Sequence, residues 1–365
     1  MRGNRIDFGE AKRISRSTFE AWSRRLVPER GDLLLAREAP VGPIVQIPNS
    51  LNVAPGQRTV LLRPDPQKVD SNYLYYLLAS PAQQTRLLQK SDGSTVAHLN
   101  VSDVRTFQLP SLPDLNVQHD IAATLTALDD RINSSTLITQ GIQEVLQSQF
   151  RSWFVEYGPW GGDAPADWHS GVLSEVLALV KKPIKSSNRD GLPYVPIDAL
   201  PMRALGLEDF RPTAEAQSSL IRFDEDDILM GAMRVYFHRV VIAPFDGITR
   251  TTCFVLRPYE REFLEYALLL CNEDTTIDFA DTTSRGSTMP YAVWENGLAN
   301  MSLMIPTRKV ANEFSEWARP LVMRIRNGIF ERRRLRQLRD ALLPELISGR
   351  IRAVDTRAVL VVATQ

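Results

Sequence analysis

Four short segments of the 365-residue chain carry side chains suited to reading the edges of nucleic-acid bases. Arg37 stands alone in the first, and Ser94, Thr95 and His98 form the second. Arg234, Tyr236 and His238 make the third, and Arg285, Ser287 and Thr288 the fourth. Arginine reads guanine through paired hydrogen bonds in the major groove, while serine, threonine and further arginines hold phosphates. Each segment has a plainer reading beside this one. Arg37 suits a salt bridge to Glu38 or another carboxylate as well as a base contact. The Gly-Ser-Thr triplets suit a tight turn with a helix cap as well as a phosphate contact. His98 and His238 fit satisfied packing positions, and Tyr236 fits a strand with its ring in the core.

Catalytic constellations are hard to find. The chain lacks an Asn or Asp followed by Pro-Pro and an aromatic, the signature of amino-methyltransferases, and it lacks the glycine-rich turn that such enzymes use for their cofactor. A phosphate-binding loop ending in Gly-Lys-Ser/Thr is also absent. Asp224, Glu225, Asp226 and Asp227 resemble a metal-dependent nuclease cluster in composition. The simpler reading is a polar turn before a strand at Ile228. The four histidines, His98, His119, His169 and His238, show no metal-ligand spacing. Two cysteines, Cys253 and Cys271, are too few for a disulfide framework, which fits a reducing cytoplasm. A formal net charge of zero argues mildly against a nucleic-acid binder. Local charge is uneven, with arginine rich at residues 2–30 and 324–352 and acid rich at 208–227. No stretch reaches the ~18 apolar residues of a membrane span, and residues 1–30 hold no apolar core of signal-peptide length.

The elements that must position these side chains repeat at a spacing of about 195 residues. The run from Asp32 (DLLLAREAPVG) corresponds to that from Asp227 (DILMGAMRVYF). Leu62-Arg63-Pro64 then matches Leu256-Arg257-Pro258, Tyr73-Leu74 matches Phe263-Leu264, Gly93-Ser94-Thr95 matches Gly286-Ser287-Thr288, and Pro110 matches Pro306. Short apolar runs at Asp32 to Leu35, Arg58 to Leu62, Ile228 to Met230 and Thr252 to Leu256 read as buried strands, and Tyr73 to Leu88 and Glu262 to Leu270 as helices. Each half ends in an amphipathic helix: Ile121, Leu125, Leu128, Ile132, Ile142, Val145 and Leu146 form one stripe. Val310, Phe314, Trp317, Leu321, Ile325, Leu335, Leu338 and Leu342 form the other. A helix of ~35 residues is ~52 Å long. Pro320 predicts a kink or break in the second.

These landmarks together resemble the specificity subunits of type I restriction-modification systems over nearly the whole chain. The resemblance is carried by Gly31 to Glu38 with Val41-Gly42, by Gly93-Ser94-Thr95 with His98-Leu99, by the Pro110 to Pro113 turn, and by Leu342-Leu343-Pro344 with Ser348-Gly349. It implies an α+β architecture: two mixed α and β target recognition domains separated by two long antiparallel spacer helices in a pseudo-twofold repeat. The expected order is a first recognition domain at 1–112, a spacer helix at 113–157 and a linker at 158–167, then a second recognition domain at 168–306, a spacer helix at 307–352 and a tail at 353–365. About 59 residues separate Trp168 from Asp227 but only 31 precede Asp32, so the first domain is expected to lack its opening strands.

By the same resemblance the chain is a non-catalytic reader of a bipartite double-stranded DNA target. Two methyltransferase subunits using S-adenosylmethionine, and restriction subunits using ATP and Mg, are its expected partners. Arg332, Arg333, Arg334, Arg336 and Arg339 are expected either to dock methyltransferase subunits or to form a plain solvated face. The rival readings are a DNA-binding or scaffold module outside restriction systems, and a nuclease with an unrecognised site.

Overall fold

In the computed structural model, residues 6, 11–48, 53–91, 97–184, 191–216 and 219–356 are described. Contacts divide the chain into two compact units, residues 1–132 with 334–365, and residues 133–333. The expected sequential domains set the long helices apart as segments of their own. In this division each long helix contributes residues to both units.

The first unit opens with α1 (Arg16–Ser23), capped by the Ser15 side chain, which accepts from the Thr18 amide. Strands β1 (Leu33–Arg37), β2 (Val41–Gln46) and β3 (Thr59–Leu62) form an antiparallel sheet in the order β2-β1-β3, with Leu33 opposite both Gln46 and Leu62. Central β1 is buried at four successive residues, as its apolar run requires. The single helix expected over Tyr73 to Leu88 is two: α2 (Ser71–Ala79) and α3 (Pro81–Gln89). Pro81 forces Ser80 into an extended conformation, ending one helix and starting the next. The short α4 (Val101–Arg105) precedes α5 (Leu115–Phe154).

The second unit holds β4 (His169–Val172), β5 (Leu177–Leu179), β6 (Tyr194–Val195), β7 (Leu220–Phe223), β8 (Ile228–Gly231), β9 (Val240–Ile242), β10 (Gly247–Arg250) and β11 (Cys253–Pro258). Helices α6 (Leu264–Cys271) and α7 (Asp274–Thr282), strand β12 (Ser302–Ile305) and helix α8 (Arg308–Ile347) follow. The main sheet has the order β5-β11-β8-β9; β6-β10-β7 and β12-β4 form two smaller ones. Trp160 meets Trp153 and Trp168 at ring-centroid distances of 5.8 and 5.0 Å, so the expected linker is packed into an aromatic cluster of this unit.

Within each unit the long helices complete the core. In the first, Ile121, Leu125, Leu128 and Ile132 of α5 join Leu335, Leu342 and Leu346 of α8 beneath α2, with the Tyr76 hydroxyl donating to Asp129 at 2.8 Å. In the second, Phe150 lies 6.1 Å from Phe314 while Ser135 contacts Arg332, so the two helices run antiparallel there. Helix α8 passes through Pro320 unbroken. Pro320 and Glu316, whose carbonyl loses its usual amide, are both on the exposed face, while Phe314, Ala318 and Val322 hold the buried one. Trp317, expected in the stripe, is 37% exposed; Ala318 occupies the buried position instead.

Candidate nucleic-acid interface

In the second unit, β8 carries the chain into a loop that returns through β9. Gly231 and Arg239 close it (N–H to carbonyl, 2.9 Å), and the Ala232 amide donates to the Thr252 carbonyl at 2.8 Å. Arg234 and His238 both adopt left-handed backbone, with φ of 50° and 53°. Non-glycine residues reach that region at a cost of ~1 to 3 kcal/mol, and such strain gathers at functional loops. The segment around Arg285 to Ala292 pairs with this loop: Arg234 N donates to Pro290 O at 2.7 Å, Ala292 N to Ala232 O at 2.8 Å, and Arg285 and Tyr291 exchange two backbone bonds of 2.9 Å. The third and fourth sequence segments are therefore one surface.

Arg234, Tyr236, Arg285, Ser287 and Thr288 are exposed on it. Tyr236 is a surface residue, not a core strand residue. His238 is not on the surface. Only 3% exposed, it has Nε2 2.9 Å from the Asn272 carbonyl and Nδ1 3.3 Å from Asp274. Burial pushes its pKa below the ordinary 6.5, so the neutral imidazole anchors the loop from beneath.

The first unit places Arg37 and His98 together in the corresponding way. Glu38 and His98 form a bridge, and Leu99 N donates to Arg37 O at 2.8 Å. Ala39, like Arg234, has a φ of 50°. The Arg37 guanidinium turns to the Gln57 and Leu99 carbonyls, each at 3.2 Å, while Glu38 pairs with Arg58 at 3.6 Å. Glu38 is thus paired with Arg58 rather than with Arg37. Ser94 and Thr95 lie outside the described residues.

Behind both loops sits the same anchor. Arg63 grips Asp32 through two hydrogen bonds of 2.8 and 2.7 Å, and Arg257 grips Asp227 through two of 2.6 and 2.7 Å. Each aspartate also accepts the amide three residues before it, Glu29 at 2.9 Å and Asp224 at 2.8 Å. The Asp227 hydrogen bond raises the Arg257 pKa above its ordinary value. The rest of the acidic run is held in the same manner, Asp224 by Lys182 at 3.0 Å, and Glu225 and Asp226 by Arg326 at 2.6 and 3.2 Å. It is a charge-paired turn.

Known proteins align with this arrangement. A family model described as the type I restriction modification DNA specificity domain matches residues 7–146. The specificity subunit of the type I restriction enzyme MjaIX from Methanocaldococcus jannaschii is 25% identical over 96% of this chain and 84% of its own length. Residues 7–146 thus match the type I specificity domain, and the chain is similar to a type I specificity subunit over nearly its whole length. The specificity subunit of HindI from Haemophilus influenzae is 28% identical over 36% of this chain and 29% of its own. The fold is that of the type I S subunit from M. genitalium, with a TM-score of 0.60 at 18% identity, covering 87% of this chain and 83% of that one.

The loop surface also carries groups that the sequence pattern did not single out. Phe237, Met289 and Tyr291 are 36%, 51% and 46% exposed around Arg234. With Met233, Arg239, Ile197 and Asp198, three of these residues (Arg234, Phe237, Met289) line a cavity of about 210 Å³. The adjacent aromatics Tyr236-Phe237 in a run between two strands were the available signal.

The arginine run of α8 is dispersed. Arg332 is 2% exposed and bonded within the second unit, which removes it from any docking surface. Arg333 stacks 3.7 Å over Phe210, and Arg339 binds Asp129 and Asp340, each at 2.7 Å. Arg334 is exposed and Arg336 partly so. Among the described residues no helix is long and apolar enough to cross a membrane.

Proposed function

We propose that this specificity subunit reads a bipartite double-stranded DNA target, one half-site with the loop pair of each unit, and leaves chemistry to its partners. The observation that carries the reading is the recurrence of one loop platform: the Asp–Arg anchor, the strand that leaves it, the left-handed turn, and the crossing segment bonded at Leu99 or Ala292. Arg234 and Arg285 have exposed guanidiniums on that platform, suited to guanine edges or phosphates, and Tyr236, Phe237 and Tyr291 supply apolar surface for thymine methyl groups.

Two methyltransferase subunits bringing S-adenosylmethionine, and restriction subunits bringing ATP and Mg, complete the system. A docking place for the methyltransferase is the part of α5 in the second unit where Leu137, Ile138 and Val145 are 67%, 47% and 54% exposed. Apolar residues in such a group on a helix commonly meet a partner helix.

The test is co-expression of the chain with its cognate methyltransferase subunit in a host lacking adenine methylation, followed by methylome sequencing. A single motif of two short half-sites with a fixed gap is expected. Absence of new methylation, or a contiguous motif, refutes the reading.

A further inference from the structure

One stripe of α8 in the second unit is buried and apolar until it reaches a single charged residue. Buried positions of α8 recur as Ala311, Phe314, Ala318, Val322, Ile325 and Ile329, and the next step of the stripe is Arg332. Its Nη1 donates to the Ser135 carbonyl at 3.2 Å and to the Thr139 hydroxyl at 2.7 Å, both on α5. Nε donates to Glu208 at 2.7 Å, and Nη2 bonds the same carboxylate oxygen. Three stretches remote in sequence thus meet on one planar group: α5, α8 and the segment 203–210.

That segment is seated by other contacts of the same kind. Gln143 of α5 donates to the Arg203 carbonyl at 2.8 Å and accepts the Leu205 amide at 3.0 Å. Gly206 lies so near Ile329 that a Cβ would come within 2.8 Å of its side chain. Its far end touches the reading loop. The Arg203 amide donates to the His238 carbonyl at 2.8 Å, and the Arg203 guanidinium donates to Asp274 at 3.0 Å, the carboxylate beside the His238 ring. A chain of contacts therefore runs from Arg332 through Glu208 and Arg203 to the loop that bears Arg234 and Tyr236.

Apolar residues in place of the whole Arg332–Glu208 pair would cost no more in stability, because burying a guanidinium forfeits its hydration. What the guanidinium adds is direction: its donors lie in one plane and accept one arrangement of three partners. We propose that Arg332 is a positioning residue for target reading, clamping segment 203–210 to the helix pair and thereby fixing the placement of the 232–238 loop. This rests on the DNA-reading proposal above for its consequence but not for its geometry.

The test uses the full chain as Arg332→Met, which keeps length and apolar contact, and as Arg332→Lys, which keeps charge. Hydrogen exchange is followed in segments 203–210 and 232–239, with β8 and β11 as internal references. The Met variant is expected to exchange at least tenfold faster in both segments with the reference strands unchanged, and the Lys variant to fall between it and the parent. Parental exchange in either segment of the Met variant overturns the clamp. Should that variant fail to fold, Glu208→Gln weakens the clamp from its more exposed end and is held to the same two outcomes. Paired with the methyltransferase, the Met variant is expected to relax one half-site only; an unchanged motif overturns the link to reading. Failure of the unmodified chain to direct any bipartite methylation overturns the DNA-reading proposal instead, while the exchange result still decides the clamp.

Discussion

Replacing Gly328 and Gly141 by alanine should move stability in opposite directions. Both glycines lie inside 40-residue helices, where alanine is favoured over glycine by about 1 kcal/mol. At Gly141 nothing stands within 4 Å of an added Cβ, so Gly141→Ala should gain the full ~1 kcal/mol. At Gly328 the added Cβ would lie 3.2 Å from both Arg332 Nη1 and Thr139 Oγ1 and 3.4 Å from Ser135 Oγ. The guanidinium has nowhere to withdraw, since Glu208 holds its other side and Thr139 is itself bonded to the Ser135 carbonyl at 2.9 Å. Displacing it strains or breaks one charge-assisted hydrogen bond, worth ~1.5 to 3 kcal/mol, so Gly328→Ala should lose about 0.5 to 2 kcal/mol after the propensity gain is subtracted. Urea denaturation followed by tryptophan fluorescence reports the second unit, where Trp153, Trp160, Trp168 and Trp294 lie. A midpoint that rises equally for both variants refutes the reasoning, because it would mean that the layer around Arg332 yields freely.

Arg234→Ala and Arg234→Gly separate the guanidinium from its backbone. Both should weaken binding to the cognate duplex by about 1 to 3 kcal/mol in fluorescence anisotropy, while the glycine variant is no less stable than the alanine one because it relieves the φ of 50°. Removing the carboxylate of Asp227, as Asp227→Ala, should cost about 2 to 3 kcal/mol in the same urea assay, since Arg257 loses two hydrogen bonds and keeps only its contact with Asp224, and the Asp224 amide loses its acceptor. Because His238 is held neutral by burial, the folded state binds fewer protons than the unfolded one below about pH 6.5. Its contribution is complete above that pH and is lost as pH falls towards the lowered folded pKa, by at most about 1.4 kcal/mol per pH unit, and His238→Gln should flatten the slope of the urea midpoint between pH 7.5 and 5.5.

The pairs Asp32 with Arg63 and Asp227 with Arg257 were legible in the sequence as landmarks, because a strand start and a strand end adjacent in a sheet keep their offset when a unit recurs. The alternation of apolar residues located both long helices for a similar reason. What the sequence hid depends on partners far along the chain. Five arginines crowd residues 332–339, and nothing local distinguishes Arg332; its burial follows from Ser135 and Thr139, nearly two hundred positions earlier. His238 sits inside for the same cause, with Asn272 and Asp274 supplied by a separate helix. The helix does not break at Pro320 because the position lies on an exposed face, which local rules do not reveal. Met289 and Tyr291 were passed over because exposure of an apolar side chain is a property of the finished surface.

The paired anchors make the loops interchangeable parts. Asp227 and Arg257 bind behind the sheet, at the ends of β8 and β11 away from the turn, and none of their hydrogen bonds involves residues 233–237 or 285–291. The tip residues can therefore be exchanged for others without disturbing the support that holds them. A lineage could acquire a new target by changing a handful of exposed side chains while inheriting the frame intact, and a laboratory could graft the same span between relatives by cutting just inside the two ion-paired residues.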